Sequence, residues 1–172
     1  MTVVPVLTTE RLTLRAPRLA DFEPYAAFFA SERSVHEGGP LDRVQSWREF
    51  ATAIAAWTLR GYGVWSIEDR GTGAYLGETG LFHPDYYPEA ELGWTLIPEA
   101  EGKGFAHEAA LAARGWAYDI AGMATLVSYI APANVRSIRL AERLDARPDP
   151  DADRPEHDPC LVYRHPAPET LR

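Results

Sequence analysis

The segment 90–131 constrains the fold of this chain more than any other part. Residues 90–97 and 125–131 are predicted strands, and each is followed directly by a proline. Between them, residues 105–120 carry apolar side chains at spacings of three and four, which predicts a helix. A strand–helix–strand unit of this length predicts one pair of parallel strands.

The other predicted strands follow one another more directly, which favours antiparallel pairing. We predict them at residues 7–15, 63–68, 74–82 and 160–164. Further helices are predicted over 22–30, 43–60 and 135–144. The combination predicts a mixed sheet in an α+β or α/β domain.

Two of these helices carry more detailed predictions. Asp21 is predicted to cap the helix over 22–30, and Gly61 to end the helix over 43–60. The apolar stripe of the second helix consists of Val44, Trp47, Phe50, Ile54 and Trp57, and its two tryptophans are predicted to lie in the core. Trp116, on the apolar face of the helix over 105–120, is also predicted to lie in the core.

Length, charge and cysteine content exclude several classes of protein. The 172 residues fit a single domain, 1–172, with a core over about 7–165. The net charge of −8 argues against binding to a nucleic-acid backbone, and no apolar run is long enough to span a membrane. We expect no signal peptide and a cytoplasmic protein. The lone Cys160 excludes an internal disulfide and a multi-thiolate zinc site, and no metal is implied.

Residues 101–108 predict an anion site. Gly102 and Gly104 flank Lys103 immediately before a helix, whose first N–H groups are free and lie at the positive end of the helix dipole. Glycines let an anion approach those amides closely. The dinucleotide fingerprint fails because His107 replaces its third glycine, and the phosphate-binding pattern of nucleoside triphosphatases is absent.

Four segments in chain order resemble one family. They are residues 8–15, residues 75–81, residues 90–94 together with 102–109, and the pattern Asn134-x-x-Ser137-x-x-Leu140-x-Glu142. The chain resembles the GNAT superfamily of N-acyltransferases, and more closely its RimJ/RimL-like branch, over about residues 7–165. The resemblance implies a GNAT-like fold, with a mostly antiparallel twisted sheet, one splayed parallel strand pair and about four flanking helices. It also implies acetyl-CoA as the co-substrate.

The resemblance further implies which residues hold the coenzyme. Main-chain groups of Trp94, Thr95 and Leu96 would pair with the amides of pantetheine. The diphosphate would bind to the backbone amides of five consecutive residues, which are Gly102, Lys103, Gly104, Phe105 and Ala106. Asn134 and Ser137 would lie close to the sulfur.

The sequence departs from the family pattern at two positions. Glu101 stands where the family has Gln or Arg, so either this carboxylate points to solvent or coenzyme binding is weaker. Asp145 stands where the family has Gly, within Leu-Asp-Ala in place of Leu-Gly-Phe. We therefore expect a changed end to the helix over 135–144 or an altered wall of the substrate pocket.

Acetyl transfer to an amine needs a base for the ammonium and a proton for the departing sulfur. Glu91, on the predicted splayed strand, is our first candidate for the base, and Glu78 in the hairpin is the second. Both residue types also fit structural roles, Glu91 as an exposed strand residue and Glu78 as the partner of an arginine. Ser137 is the candidate acid through its resemblance to the branch's proton donor, with Tyr129 as the alternative. His36, His83 and the pair Tyr86-Tyr87 are candidates for the acceptor pocket.

The first functional hypothesis is an N-acetyltransferase that moves an acetyl group from acetyl-CoA to a primary amine, either a protein N-terminus or a small molecule. The alternative is a non-catalytic, regulatory acyl-CoA-binding domain of the same fold. A third hypothesis is an acyltransferase that uses a different acyl group. A monomer and a homodimer both fit the sequence.

Overall fold

The computed structural model describes residues 3–156 and 159–171. Its centre is one eight-stranded sheet in the spatial order β1-β2-β3-β4-β5-β6-β8-β7. The strands are β1 (Leu7–Thr8), β2 (Leu12–Arg15), β3 (Val64–Asp69), β4 (Tyr75–Phe82), β5 (Glu91–Leu96), β6 (Val127–Ile130), β7 (Arg147–Pro148) and β8 (Leu161–Arg164). The α-helices are α1 (Phe22–Phe29), α2 (Arg43–Arg60), α3 (Phe105–Asp119) and α4 (Val135–Arg143).

The predicted mixed sheet is confirmed. Strands β1 to β5 pair antiparallel with their sequence neighbours. The unit β5–α3–β6 supplies the parallel pair, and β8 then joins β6 antiparallel. Among residues 3–156 and 159–171, no helix is long and apolar enough to cross a membrane.

The main core lies between the sheet and α3, which packs on β4 and β5. Its centre holds three indole rings, because Trp57 of α2, Trp65 of β3 and Trp116 of α3 meet edge to face at centroid distances of 4.8–5.5 Å. Edge-to-face contacts of this kind stabilise a core beyond the area they bury. The predicted core position of Trp57 is therefore confirmed, and Trp116 is partly buried against the same core.

Helix α2 buries only part of its apolar stripe. Trp47 is 48% exposed, so its predicted core position is wrong, and Val44 and Ile54 are 60% and 39% exposed. Phe50 is buried in a smaller aromatic cluster with α1. The physical reason is that, in the sheet, α2 packs mainly on β3, and its other main neighbour is α1.

Two further features near the N-terminus differ from the prediction. Residues 7–15 form two strands instead of one, because the Thr9 N–H donates to the Leu12 carbonyl at 2.9 Å and turns the chain between them. Asp21 occupies the cap position of α1, as predicted, but its side chain makes no hydrogen bond to that helix. Its carboxylate instead accepts two hydrogen bonds from the buried Arg15 guanidinium, at 2.7 and 2.9 Å. A charged bidentate pair is stronger than a single cap bond and takes the carboxylate.

Candidate functional site

Strands β5 and β6 separate almost as soon as they meet. β5 pairs with β4 along its whole length, whereas the described residues pair β5 with β6 only at Glu91 and Val127. Two side chains reinforce this short junction. The Ser128 hydroxyl donates to the Leu92 carbonyl at 2.6 Å, and the Tyr129 N–H donates to Glu91 Oε1 at 3.2 Å. Beyond the junction, the splayed edge of β5 faces a gap.

A small cavity of about 30 Å³ lies in this gap, and we call it the cleft. Its lining comes from β5, β6, the start of α4 and the segment before α2. The lining residues are His36, Glu37, Glu91, Leu92, Gly93, Trp94, Ser128, Tyr129, Ile130, Asn134 and Ser137. The fold thus brings together several residues that the sequence predicted for the site, from positions up to 101 apart.

The start of α4 projects a hydrogen-bonded group into the cleft. Asn134 caps the helix, because its Oδ1 accepts from the Ser137 N–H at 3.2 Å. The Ser137 hydroxyl accepts from the indole N–H of Trp94 at 3.3 Å. A hydroxyl that accepts a hydrogen bond still carries its own proton, so Ser137 can donate to a group placed in the cleft.

Glu37 is a cleft residue that the sequence did not predict. It follows the 3-10 helix at Glu32–Ser34, and its Oε1 accepts from the Asn134 side-chain N–H at 2.9 Å. Burial raises the pKa of Glu37 to about 7, against the opposing effects of the Asn134 bond and the charge of Arg136. The sequence held only an indirect signal, in that His36 and the loop before the Gly38-Gly39 pair were already candidates for the acceptor pocket.

Glu78 lies outside the cleft lining. It stands opposite Ser66 and Thr95 in the sheet and is only 5% exposed. Burial, reinforced by the negative charge of Asp21, raises the pKa of Glu78 to about 8, so this carboxyl is mostly protonated at neutral pH. Its assignment as a base stays a prediction that this geometry does not favour.

The tyrosine and histidine candidates lie partly at the cleft and partly outside it. The ring of Tyr87 packs on that of Tyr129, with centroids 5.3 Å apart, at the cleft. Burial raises the pKa of Tyr129 to about 12, so its phenol stays protonated. His36 lines the cleft, whereas His83 lies outside the lining and contacts the Tyr62 hydroxyl at 3.0 Å.

Residues 101–104, which we call the glycine loop, lead from β5 into α3. Gly102 and Gly104 both have positive φ angles, 74° and 81°, which favour glycine. Gly104 occupies the cap position of α3 without a side-chain cap bond, so the first amides of the helix are not used by a capping side chain. A Cβ at Gly102 would meet no atom within 4 Å, so the loop is open on that side.

Arg11, in the N-terminal hairpin, forms hydrogen bonds that hold the glycine loop in place. Its guanidinium donates to the Lys103 carbonyl at 2.9 Å and to the Glu108 carboxylate at 2.7 Å, and it lies 4.7 Å from the centre of the Phe105 ring. The Lys103 ammonium donates to the Glu99 carbonyl at 2.8 Å. These contacts fix the loop and the first turn of α3 to the rest of the fold.

Glu101 is neutralised by two arginines. Its Oε2 accepts from Arg33, in the segment before α2, and from Arg136 at 2.7 Å, in the first turn of α4. Within this group of three the net charge is positive. The departure from the family pattern at Glu101 therefore adds no uncompensated negative charge beside the glycine loop.

Asp145 keeps the geometry that the family's glycine provides. Its φ of 62° is left-handed, and the Ala146 N–H donates to the Ala141 carbonyl at 3.0 Å while the Asp145 N–H donates to the Glu142 carbonyl at 3.0 Å. These two bonds form the Schellman motif that commonly ends helices at glycine. The helix therefore ends in the common manner, although at a strained non-glycine residue.

Comparison with known proteins shows the family to which this chain belongs. A family model for the acetyltransferase (GNAT) domain matches residues 11–147. The crystal structure of an acetyltransferase from Agrobacterium tumefaciens str. C58 is 44% identical with a TM-score of 0.90 and covers 95% of both chains. The uncharacterized N-acetyltransferase YoaA of Bacillus subtilis (strain 168) is 30% identical over 142 residues, 79% of each chain.

A more distant solved structure has CoA bound. It is the spermidine N-acetyltransferase from Vibrio cholerae in complex with CoA and spermine, 18% identical with a TM-score of 0.71, covering 91% of this chain and 94% of that one. At this identity the likeness shows the fold alone.

Proposed function

Because the chain belongs to the GNAT acetyltransferase family and is therefore an acyltransferase, we propose that it moves an acetyl group from acetyl-CoA to a primary amine. The observation that carries the proposal is the cleft between the splayed strands β5 and β6, with Ser137 and two carboxylates in its lining. The amine belongs to a protein N-terminus or to a small molecule.

The residues present fit the proposed coenzyme. The glycine loop and the first turn of α3 offer backbone N–H groups to a diphosphate, from Gly102 to Ala106. The main chain of Trp94, Thr95 and Leu96, on the splayed side of β5, would pair with the pantetheine amides. The path from one to the other leads the sulfur towards Asn134 and Ser137. Acetyl-CoA, when bound, supplies an activated acetyl thioester.

The protein's own groups supply the proton transfers. A carboxylate in the cleft takes a proton from the ammonium, since only the free amine is a nucleophile. Glu91 is the base that the sequence predicts, and it lines the cleft. The Ser137 hydroxyl donates towards the sulfur as it leaves, and backbone N–H groups of β5 stabilise the charge that develops on the thioester oxygen.

The finer assignments rest on the sequence. The four matching segments favour the RimJ/RimL-like branch, and we propose a cytoplasmic enzyme that works as a monomer or homodimer in one domain. The negative net charge and the carboxylates of the cleft favour a cationic acceptor. The non-catalytic reading has less support, because the arginine contacts of Glu101 remove the main argument for impaired coenzyme binding.

Turnover tests the proposal. Purified protein is mixed with acetyl-CoA and a panel of N-terminal peptides and small amines, and release of free thiol is followed, while calorimetry measures binding of CoA separately. Acceptor-dependent thiol release is expected. Binding of CoA without release on any acceptor would favour the regulatory alternative, and release from another acyl-CoA alone would favour the third hypothesis.

Two variants test the predicted roles. Glu91→Gln removes the carboxylate and keeps its size, and Ser137→Ala removes the hydroxyl proton. Each is expected to lower kcat by about 10- to 100-fold while leaving the affinity for CoA nearly unchanged, because general acid–base groups act mainly on the chemical step. Unchanged kcat in either variant would exclude that residue from its proposed role.

A further inference from the structure

Glu37 is held at the cleft by a rigid segment. The buried Ser34 hydroxyl donates to the Ser31 carbonyl at 2.8 Å, and the Ser34 carbonyl accepts from the Glu37 and Gly39 N–H groups at 2.8 and 3.0 Å. At Gly39, a Cβ would come within 1.9 Å of Ser34 Oγ, so the segment packs too closely for any larger residue there. The position of the Glu37 backbone is therefore well defined.

The Glu37 side chain is oriented by Asn134. The Ser137 N–H can only donate, so the Asn134 atom that meets it must be the carbonyl oxygen. The other Asn134 atom is consequently the amide nitrogen, which donates to Glu37 Oε1. This bond occupies one carboxylate oxygen and leaves the second oxygen of Glu37 for another partner.

The charges around Glu37 suit a group that gains and loses a proton. The polar groups near Glu37 come from four parts of the chain. His36 precedes Glu37, Asn134 and Arg136 lie at the cap and in the first turn of α4, Glu91 belongs to β5, and Tyr129 belongs to β6. Arg136 favours the ionised carboxylate, whereas burial opposes it and brings the pKa to about 7. A base with a pKa near the working pH is available in its ionised form and still accepts a proton effectively.

We propose that Glu37 is the catalytic base that takes the proton from the acceptor ammonium, with Asn134 as its positioning residue. This inference rests on the proposed acetyl transfer. In this proposal Glu37 replaces Glu91 as the base and Glu91 has a structural role, since the Glu91 carboxylate accepts a hydrogen bond from the Tyr129 N–H at the position where β5 pairs with β6. There it holds the two strands together at the point where the cleft begins.

The proposed transfer moves two protons off the ammonium nitrogen and one acetyl group onto it. Glu37 takes one proton from the ammonium, and the freed nitrogen lone pair forms a bond to the acetyl carbon. The carbon–sulfur bond breaks with its electron pair going to sulfur. The nitrogen gives up a second proton and the sulfur gains one through Ser137, so the products are an N-acetyl amide and free thiol. Glu37 then releases its proton to water.

The test compares Glu37→Gln with Glu32→Gln. Both variants remove one negative charge from the same segment, but Glu32 is exposed and lies outside the cleft lining. Gln at position 37 retains an oxygen for the Asn134 bond, so folding should be preserved. With acetyl-CoA and an amine that the wild-type protein acetylates, kcat/KM and its pH profile are measured, together with CoA affinity by calorimetry.

We expect Glu37→Gln to lower kcat/KM by about 100-fold or more and to remove the acidic limb with a midpoint near pH 7. CoA affinity should stay at the wild-type value, and Glu32→Gln should behave as wild type. A Glu37→Gln enzyme that keeps both the rate and the acidic limb overturns the assignment of Glu37 alone. A wild-type protein that acetylates no amine overturns the proposed function as well.

Discussion

The glycine loop and the cleft belong to one proposed coenzyme site, and they are stabilised in different ways. At the glycine loop, Arg33, Glu101 and Arg136 have side chains that are 40%, 30% and 61% exposed. At the cleft, Asn134 is 6% exposed, and its partner Glu37 is desolvated enough to raise its pKa. Water therefore screens the first group more than the second, in which Asn134 is buried and Glu37 is partly buried.

This difference suggests a division of labour. Exposed ion pairs contribute little free energy but attract a charged ligand over some distance, and salt weakens that attraction. Buried hydrogen bonds orient a few atoms, and losing one leaves a polar group without a partner. We therefore expect changes at the glycine loop to alter affinity modestly and changes at the cleft to alter the rate strongly.

Of the substitutions at Asn134, Glu101 and Asp145, Asn134→Asp at the cleft should have the largest effect. Aspartate keeps an oxygen for the Ser137 N–H, so α4 stays capped, but it replaces the donor to Glu37 with a second carboxylate. A like charge at this distance should raise the pKa of Glu37 by roughly one to two units. The acidic limb of kcat/KM should move to higher pH, and the rate at pH 7 should fall by about 10- to 100-fold.

The pH–rate profile of Asn134→Asp checks this prediction, and thermal unfolding serves as the control. Because the cap is retained, the melting temperature should remain close to the wild-type value. An acidic limb that stays at its wild-type position, with normal folding, would show that Glu37 does not govern the rate.

A smaller effect is expected from Glu101→Gln at the glycine loop. The variant removes a negative charge near the proposed diphosphate and frees the guanidinium groups of Arg33 and Arg136. CoA should bind roughly two- to five-fold more tightly at low ionic strength, in keeping with the small energies of exposed pairs. Calorimetry over a salt series checks this, since the gain should disappear as salt is added.

The opposite result at Glu101 would also be informative. Weaker binding of CoA by Glu101→Gln would mean that the carboxylate is needed to hold the two arginines in place. Arg33→Gln is the matched variant, because it removes one cation from the same group and should weaken CoA binding by a similar factor.

The smallest effect on function is expected from Asp145→Gly at the far end of α4. The substitution removes the strain of a left-handed non-glycine residue, although glycine also gains freedom in the unfolded chain. The free energy of unfolding should rise by about 0.5–1 kcal/mol, measured by urea denaturation. CoA affinity and kcat should not change, and a large change in either would show that the two ends of α4 are coupled.

The sequence predicted best what is determined locally. The unit β5–α3–β6 was predicted correctly because glycines, prolines and a regular apolar spacing define it within about 40 residues. The single strand over 7–15 was wrong because its break depends on the contact of Thr9 with Leu12 and on Arg11 bonding to Glu108, 97 positions away. The exposed side of α2 was missed because periodicity reveals an apolar face without revealing what covers it.

In the site too, local motifs were predicted and contacts between distant positions were not. Trp94, Asn134 and Ser137 belong to local motifs, and the fold places them together at the cleft. Glu37 has no motif, because its character comes from a bond to a residue 97 positions later and from desolvation by other elements. The compensation of Glu101 by Arg33 and Arg136 likewise depends on contacts across 68 and 35 positions.

The ion pairs of Glu101 have a consequence for how related sequences can diverge. A carboxylate at this position is tolerable because two guanidinium groups accompany it, so the three residues should be inherited as a set. Relatives with Gln or Arg at the position of Glu101 are free to lose the arginines at 33 and 136. Relatives with an acidic residue there should retain at least one of them, and an alignment of the family would reveal this as correlated substitution.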